Sequence, residues 1–455
     1  MNDFPEKVKQ KLHSILMEMS ENHWLFSNNP GHDFMRQNTG KLSFYDTIRM
    51  ILTMGKGSTS DEIMDYFDLD PDSIPSNSAF IQRRNQISLS AFEYLFSEFS
   101  SSFPEITRKF KDHCILAADG THVVYSTNAE IIQDYNKTHL VDHKGYNHMH
   151  LNALVDALSK VVIDAVIQPG QQPDEREALH FMLDHFKPDC PSKYILTADR
   201  GYESYDLIFH CELKKMGYVF RLKGPQVIRS LLSSFKSDLP DDQEEFDVIV
   251  RRFLTDKKSK IIKDQSDVYI YMNPNKNIPH FYPLLGNNHV HVLQFRVVKI
   301  KTGDNLFEYL VTNLPYFSFS SEDIKLIYHS RWGCEISFRY LKHAAGMLYF
   351  HSKKPEFLKQ EIYASLTLYN FGIFIANIAS DENEKRERNH DNKHVYEVDF
   401  SNAIKTVRKY LLRKDYQHPV DLIRLVMKYV HAVKDEFRHF DRNLRGIGAI
   451  HFSYR

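Results

Sequence analysis

The chain has 455 residues, 42% hydrophobic and 13% aromatic, with a formal net charge of −1. This excludes a disordered chain and a single ordinary core, and roughly two to four domains are expected. No apolar run is long enough for a membrane span, and the balanced charge gives no global sign of a polyanion partner, so any DNA contact must rest on cations arranged locally.

The N-terminus, MNDFPEKVKQKLHSILMEM, lacks the charged-then-apolar order of a secretory signal. Cys114, Cys190, Cys211 and Cys334 show no C-x-x-C spacing, which fits a reducing cytoplasm and argues against structural zinc. Residues 1–105 read as helical, because HSILMEMSENHWLF, LSFYDTIRMILTM, SDEIMDYFDL and SAFIQRRNQISLSAFEYLFSEF carry apolar residues at three- and four-residue spacing. Ser43, Ser60 and Ser78 are the expected N-caps. Arg36, Lys41, Arg49, Lys56, Arg83, Arg84 and Arg108 interleave with the pattern, so a helical DNA-binding region is expected here, with a helical cap or dimer surface as the alternative.

From residue 106 to 223 the texture is α/β. HCILAADGTHVVY reads as a buried strand that stops at Asp119-Gly120, and HMHLNALVDAL and KVVIDAVIQP as two more strands with a turn at Ser159-Lys160. DEREALHFMLDHF is a helix, and SKYILTADRGY repeats the first design: an apolar run, Ala, then Asp199. A helix over ESYDLIFHCELKKMG and a strand over YVFRLKG complete a mixed sheet with helices on its faces. Residues 224–318, with FDVIVRRFL, DVYIYM, HVHVLQFRVVKI and NLFEYLVTNL, read as an all-β insertion. The α/β pattern resumes over 319–380, with a helix at 324–345 and the helical run EFLKQEIYASLTLYNFGIFIANI. The spacer DENEKRERNHDNKH reads as an exposed linker, and residues 381–455 as a C-terminal region with two helices, FSNAIKTVRKYLLRK and VDLIRLVMKYVHAVKDEFRHF. From 401 onward Lys and Arg outnumber Asp and Glu by 12 to 5, so part of the local positive charge collects here.

Both aspartates end apolar runs, where open α/β sheets place their chemistry. If the two strands are neighbours, their backbones lie about 4.8 Å apart, and two carboxylates that close conflict unless a divalent cation joins them. On a helical wheel Tyr328, Arg331, Glu335 and Lys342 fall within an arc of about 60°. Asp119, Asp199 and Glu335 therefore form a candidate triad of oxygen ligands suited to Mg²⁺ or Mn²⁺. A pair of such ions can activate the attacking oxygen and stabilise the leaving one at phosphorus. Tyr328, Arg331 and Lys342 would face the DNA backbone.

At these residues the sequence resembles the DDE transposases of the IS4 family. The stripe Y-x2-R-x3-E-x6-K matches that family's YREK motif, AADGTHV resembles the block holding the first aspartate, and TADRGYESYD the block holding the second. LSFYDTIRMILTM followed by SNSAFIQRRNQIS resembles its N-terminal region. The resemblance implies an RNase H-like core interrupted by the β-rich insertion, metal ligation by Asp119, Asp199 and Glu335, and phosphate contacts from Tyr328, Arg331 and Lys342. It further implies cut-and-paste transposition: cleavage at the element's ends, hairpin formation and reopening, then strand transfer into target DNA. The implied partners are terminal inverted repeats, target DNA and a second copy of the chain in a synaptic complex, with the C-terminal helices assisting pairing. An aromatic stacked on a flipped base, for which Phe307 and Tyr309 are candidates, occurs in some members.

Lesser candidates are a zinc site among His139, His143, His148 and His150, supporting roles for Arg200 and Glu203, and Asp156 or Asp164 in place of Asp119. Two other functions fit the same residues: a metal-dependent nuclease on this fold without strand transfer, and a catalytically dead DNA-binding protein.

Overall fold

The computed structural model describes residues 3–35, 41–137, 145–227, 230–240, 242–265, 268–303, 306–387, 396–413 and 420–432. Among the described residues the chain opens with five α-helices, α1 (Phe4–Glu21), α2 (Phe44–Thr53), α3 (Thr59–Tyr66), α4 (Asn77–Arg84) and α5 (Leu89–Ser100). Ser43 caps α2 as expected, but α3 and α4 start two residues earlier than expected, capped by Ser58 and Ser76. Ser58 is the better cap than Ser60 because Asp61, three residues on, completes a reciprocal capping box.

The middle of the chain builds one sheet. Its first half is β1 (Cys114–Tyr125), β2 (Tyr135–Asn136), β3 (Tyr146–Asp156), β4 (Val162–Pro169), then helix α6 (Glu175–His185), β5 (Tyr194–Ala198), helix α7 (Tyr205–Leu213) and β6 (Gly217–Leu222). β3 runs antiparallel to both β1 and β4, whereas β5 is parallel to β1 and β6 parallel to β5. The order β4-β3-β1-β5-β6, with helices on the faces, is the mixed α/β arrangement of an RNase H-like core. The turn at Ser159-Lys160 forms, with Lys160 at a positive φ.

The β-rich stretch does not stand apart from this core. It comprises β7 (Phe246–Thr255), a short helix α8 (Lys260–Asp264), β8 (Tyr269–Tyr271), β9 (Val290–Gly303) and β10 (Leu306–Thr312). β10 pairs antiparallel with β6, and the sheet continues through β9 and β7 to β8. The sequence pattern shows strands but not their partners. Pairing β10 onto β6 satisfies a row of backbone groups that an isolated insertion would leave as an open edge.

The helix expected at 324–345 is two helices, α9 (Ser321–Ser330) and α10 (Trp332–His343), jointed at Arg331. Gly333, which costs helix propensity, is there for packing: a Cβ would sit 2.1 Å from the backbone oxygen of Ala157. Helix α11 (Pro355–Glu387) is long and apolar enough to cross a membrane, but 89% of that window is buried inside the protein, as expected of a helix that is apolar on all sides. It runs on into the expected linker, where Asp381 accepts from Arg108 at 2.8 Å.

The N-terminal helices wrap this central α11. Phe99 of α5 packs against Phe371 and Phe374, with ring centres 5.8 and 5.6 Å away. Arg84, fully buried, donates to Glu361 at 2.7 Å and Gln360 at 3.0 Å. Arg49 donates to the Leu411 carbonyl at 2.7 Å. Three of the cations that suggested a DNA-binding face, Arg49, Arg84 and Arg108, therefore tie helices together; Arg36 lies outside the described residues. At the C-terminal end, α12 (Phe400–Leu412) forms as expected. The second expected helix is only α13 (Leu422–Val426), because Val430–Ala432 leaves the helical path and pairs as β12 with β11 (Tyr396–Val398). Residues 433–455 lie outside the described residues.

Candidate active site

Parallel pairing of β1 with β5 ends at Ala118 opposite Ala198, so Asp119 and Asp199 follow at equivalent positions of adjacent strands. Neighbouring strands are about 4.8 Å apart. The strand holding Asp119 does not stop there, contrary to expectation: β1 runs on to Tyr125, and Asp119 lies opposite Ala153 of β3. Asp119-Gly120 is therefore no turn. Gly120 is needed for a different reason, since a Cβ there would meet His150 Nε2 at 2.2 Å and Glu175 Oε1 at 2.7 Å. Asp199 directly follows β5 and heads a single 3₁₀ turn over Arg200–Tyr202.

The α9–α10 joint supplies the rest. Arg331 donates to Asp119 Oδ2 at 3.3 Å and to Glu335 Oε1 at 2.7 Å, so one guanidinium bridges two of the three carboxylates. Those two contacts and one guanidinium width hold the two oxygens within roughly 8 Å of each other. Tyr328 donates its hydroxyl to Asp199 Oδ1 at 3.1 Å. Lys342 donates to Thr121 Oγ1 at 2.6 Å, and Thr121 lies two residues along β1 on the same face as Asp119. Asp119, Asp199, Glu335, Tyr328, Arg331 and Lys342 thus converge where the end of β5 lies beside the middle of β1. Tyr328, Arg331 and Lys342 point at the acidic residues and β1 rather than standing out in solvent.

The site is electrostatically strained in one direction. Burial pushes the Asp119 carboxyl up to about 6, and the charges of Glu335 and Glu175 add to this against the Gly120 N–H and Arg331. Burial opposes the charge of Arg331, but the Glu335 hydrogen bond and the nearby carboxylates more than offset that and hold it above its ordinary value. Burial also lowers Lys342 and raises Tyr328, the latter with help from the Asp199 charge. Asp119, Asp199 and Glu335 do not close into a ligand group with all atoms within 4.8 Å, whereas one histidine group among the described residues does. Like charges keep apart, and the Arg331 guanidinium occupies the space between two of them. An acidic, oxygen-only donor set whose most buried member resists ionisation, and which has recruited an internal cation, fits divalent ions of the Mg²⁺ class.

Several residues escaped the sequence reading. Glu175, the first residue of α6, accepts or shares a proton with His150 at 3.0 Å and sits beside Asp119 and Gly120. Arg221 of β6 lies 3.7 Å from Asp199 and 3.3 Å from Glu308 of β10. An arginine inside the otherwise apolar run YVFRLKG is a signal that could have found it; nothing in DEREALHF sets Glu175 apart from its neighbours.

The lesser candidates resolve differently. Asp156 accepts from the backbone of Leu158 and Ser159 at 3.1 and 3.2 Å, which fixes the β3–β4 turn, and it pairs in register with Leu116, three residues before Asp119. Asp164 accepts from the Ala165 N–H at 2.7 Å and lies 3.7 Å from His185. Glu203 accepts from the backbone of Lys223 at 2.7 Å and of Leu231, and Arg200 is exposed. His148 and His150 gather with His122 in ring contact, yet among the described residues no group of three metal ligands forms there; His139 and His143 lie outside the described residues. The face of Phe307 is covered by Lys299, and Tyr309 packs against Phe246.

Comparison with curated protein sequences gives no match. Among solved structures, the chain is similar to the cryo-EM structure of a piggyBac transposase synaptic complex with hairpin DNA, at 10% identity and a TM-score of 0.44, covering 92% of this chain and 82% of that one. The profile of the transposase DDE domain matches residues 110–371, which spans more than half of the chain and takes in β1 through the first half of α11. With Asp119, Asp199 and Glu335 all inside that match, the chain belongs to the transposase DDE domain family and is a transposase.

Proposed function

We propose that this transposase moves an insertion sequence of the IS4 type by cut-and-paste, with Asp119, Asp199 and Glu335 as its metal-binding catalytic residues. The observation that carries the reading is the register of β1 and β5, which sets two aspartates at equivalent positions of adjacent strands, with Arg331 bridging Asp119 to Glu335. Two Mg²⁺ or Mn²⁺ ions, when bound, would supply activation of the attacking oxygen and stabilisation of the leaving one in an in-line displacement at phosphorus.

This chain's own residues do the rest. Tyr328 orients Asp199 through its hydroxyl. Arg331 offsets the mutual repulsion of Asp119 and Glu335, and its planar fork would have to leave those carboxylates to take a DNA phosphate. Lys342, held by Thr121, adds a point charge on the same side of the cleft. The substrates are the element's terminal inverted repeats and target DNA, handled by two copies of the chain in a synaptic complex in the cytoplasm.

The test is incubation of purified protein with labelled element-end DNA and Mg²⁺. Hairpins and joined products are expected. Nicks alone would replace this reading with a nuclease, and binding without any cut would leave a DNA-binding protein. Sequencing the DNA that flanks the gene should reveal inverted repeats and a short target duplication.

A further inference from the structure

Away from the acidic site, three histidines from separate parts of the chain meet: His180 of α6, His210 of α7 and His280 of the loop before Phe281 in the β-rich stretch. One ring nitrogen from each lies within 4.8 Å of the others. His210 is buried, and the side chains of His180 and His280 are each 18% exposed. We propose that this trio is a structural Zn²⁺ site that fastens the β-rich stretch to helices α6 and α7.

The carboxylates around the cluster point the same way. His180 Nε2 faces Asp206 Oδ2 at 3.4 Å, and His210 Nε2 faces Asp184 Oδ1 at 3.2 Å. A ring that carries its proton on Nε2, the side of its carboxylate, keeps a lone pair on Nδ1. Those two Nδ1 atoms face each other at 2.8 Å. Two lone pairs that close repel, so a cation belongs between them: a shared proton or a metal. His280 favours the metal, because it brings a third ring set against the same Asp206 that faces His180, with a carboxylate oxygen 2.8 Å from its Nδ1 and the other accepting from its backbone N–H at 3.0 Å. Imidazoles backed by carboxylates are the usual surroundings of zinc-binding histidine, since the carboxylate fixes the tautomer and strengthens the donor. Three imidazoles with one position for water match the four-coordinate preference of Zn²⁺ and not the all-oxygen preference of Mg²⁺.

The rings are stacked, with planes tilted by 10° to 16° and centres 3.9 to 5.1 Å apart. Coordination turns them about their Cβ–Cγ bonds so that three lone pairs point to one centre. α6 begins at Glu175, beside Asp119, and reaches His180 five residues later, roughly 7 Å along the helix. The metal would therefore brace the helix that carries Glu175 to the acidic site.

The experiment uses the full chain carrying Glu335→Gln, so that the acidic site does not compete, purified after chelation and titrated with Zn²⁺ and with Co²⁺. One equivalent of Zn²⁺ bound, a tetrahedral Co²⁺ visible spectrum and a raised urea midpoint are expected. His280→Gln, on a loop, should remove all three, and Asp206→Asn should weaken Zn²⁺ by about 10- to 100-fold. Should His210→Gln fail to fold, His280→Gln still decides the matter. A chain that binds no zinc and shows no Co²⁺ spectrum would overturn the proposal in favour of a shared proton. Cleavage by the unsubstituted protein is a separate readout, so failure here leaves the DNA chemistry standing.

Discussion

Asp119→Asn should make the metal-free protein more stable while removing its activity. The Asp119 side chain is 25% exposed, and its surroundings raise the carboxyl from 3.8 to about 6. Every tenfold gain in proton affinity corresponds to about 1.4 kcal/mol, so keeping this group ionised in the folded chain costs about 3 kcal/mol near neutral pH. Because the folded value is the higher one, its contribution to stability is fully present below about 4 and is lost as pH rises through about 6. Asparagine mimics the protonated form and escapes that loss. Urea unfolding in chelator should therefore show the two proteins converging near pH 4 and the variant ahead by about 1–3 kcal/mol at pH 8. Adding Mg²⁺ or Mn²⁺ should raise the unfolding midpoint of the parent alone. Cleavage of element-end DNA should fall by about 10³-fold or more, as expected when several kcal/mol of charge stabilisation are lost. A variant less stable than the parent at pH 8 without metal would refute the claim that Asp119 is held as a strained anion.

Asp199→Asn and Glu335→Gln should each abolish cleavage and leave gel-shift binding of the same DNA intact; retained cutting removes that residue from the site. Lys342→Ala should reduce the slope of log affinity against log salt by about one, and an unchanged slope argues against a phosphate contact. Arg84→Met leaves the buried Glu361 with His351 as its remaining partner and should lower stability by about 2–4 kcal/mol in urea unfolding, with no change in cleavage per folded molecule. Gly120→Ala drives a methyl into His150 and Glu175 and should cost about 1–3 kcal/mol, which His150→Ala in the same chain should partly restore.

Much of the core could be read from the sequence because its strands are short apolar runs with turn residues between them. The run before Asp119 and the run before Asp199 share one design, and their parallel pairing follows from the crossover between them. What the pattern could not reveal is partnership. β7, β9 and β10 alternate like any antiparallel strands, and alternation reports which faces are buried, not that β10 would complete the edge of β6. The N-terminal helices mislead for a related reason. A cation such as Arg84 looks alike in sequence whether it meets DNA or a buried Glu361 that lies 277 residues away.

The acidic site shows the same division between local and long-range information. The helical spacing of Tyr328, Arg331, Glu335 and Lys342 is local, and although the helix bends at Arg331, the four side chains still converge. What each one touches depends on β1, β5 and α10 meeting, which no window of sequence contains. Arg331 is the instructive case. Its i,i+4 pairing with Glu335 alone would be worth a few tenths of a kcal/mol on a solvated helix. Bridged also to Asp119 and mostly buried, the same guanidinium sets the charge balance of the whole cleft. A surface pair would be dispensable. Here, removing the arginine leaves two facing carboxylates uncompensated, so its loss should weaken the protein most in chelator and least in saturating divalent ion, a dependence that an ordinary surface ion pair cannot produce.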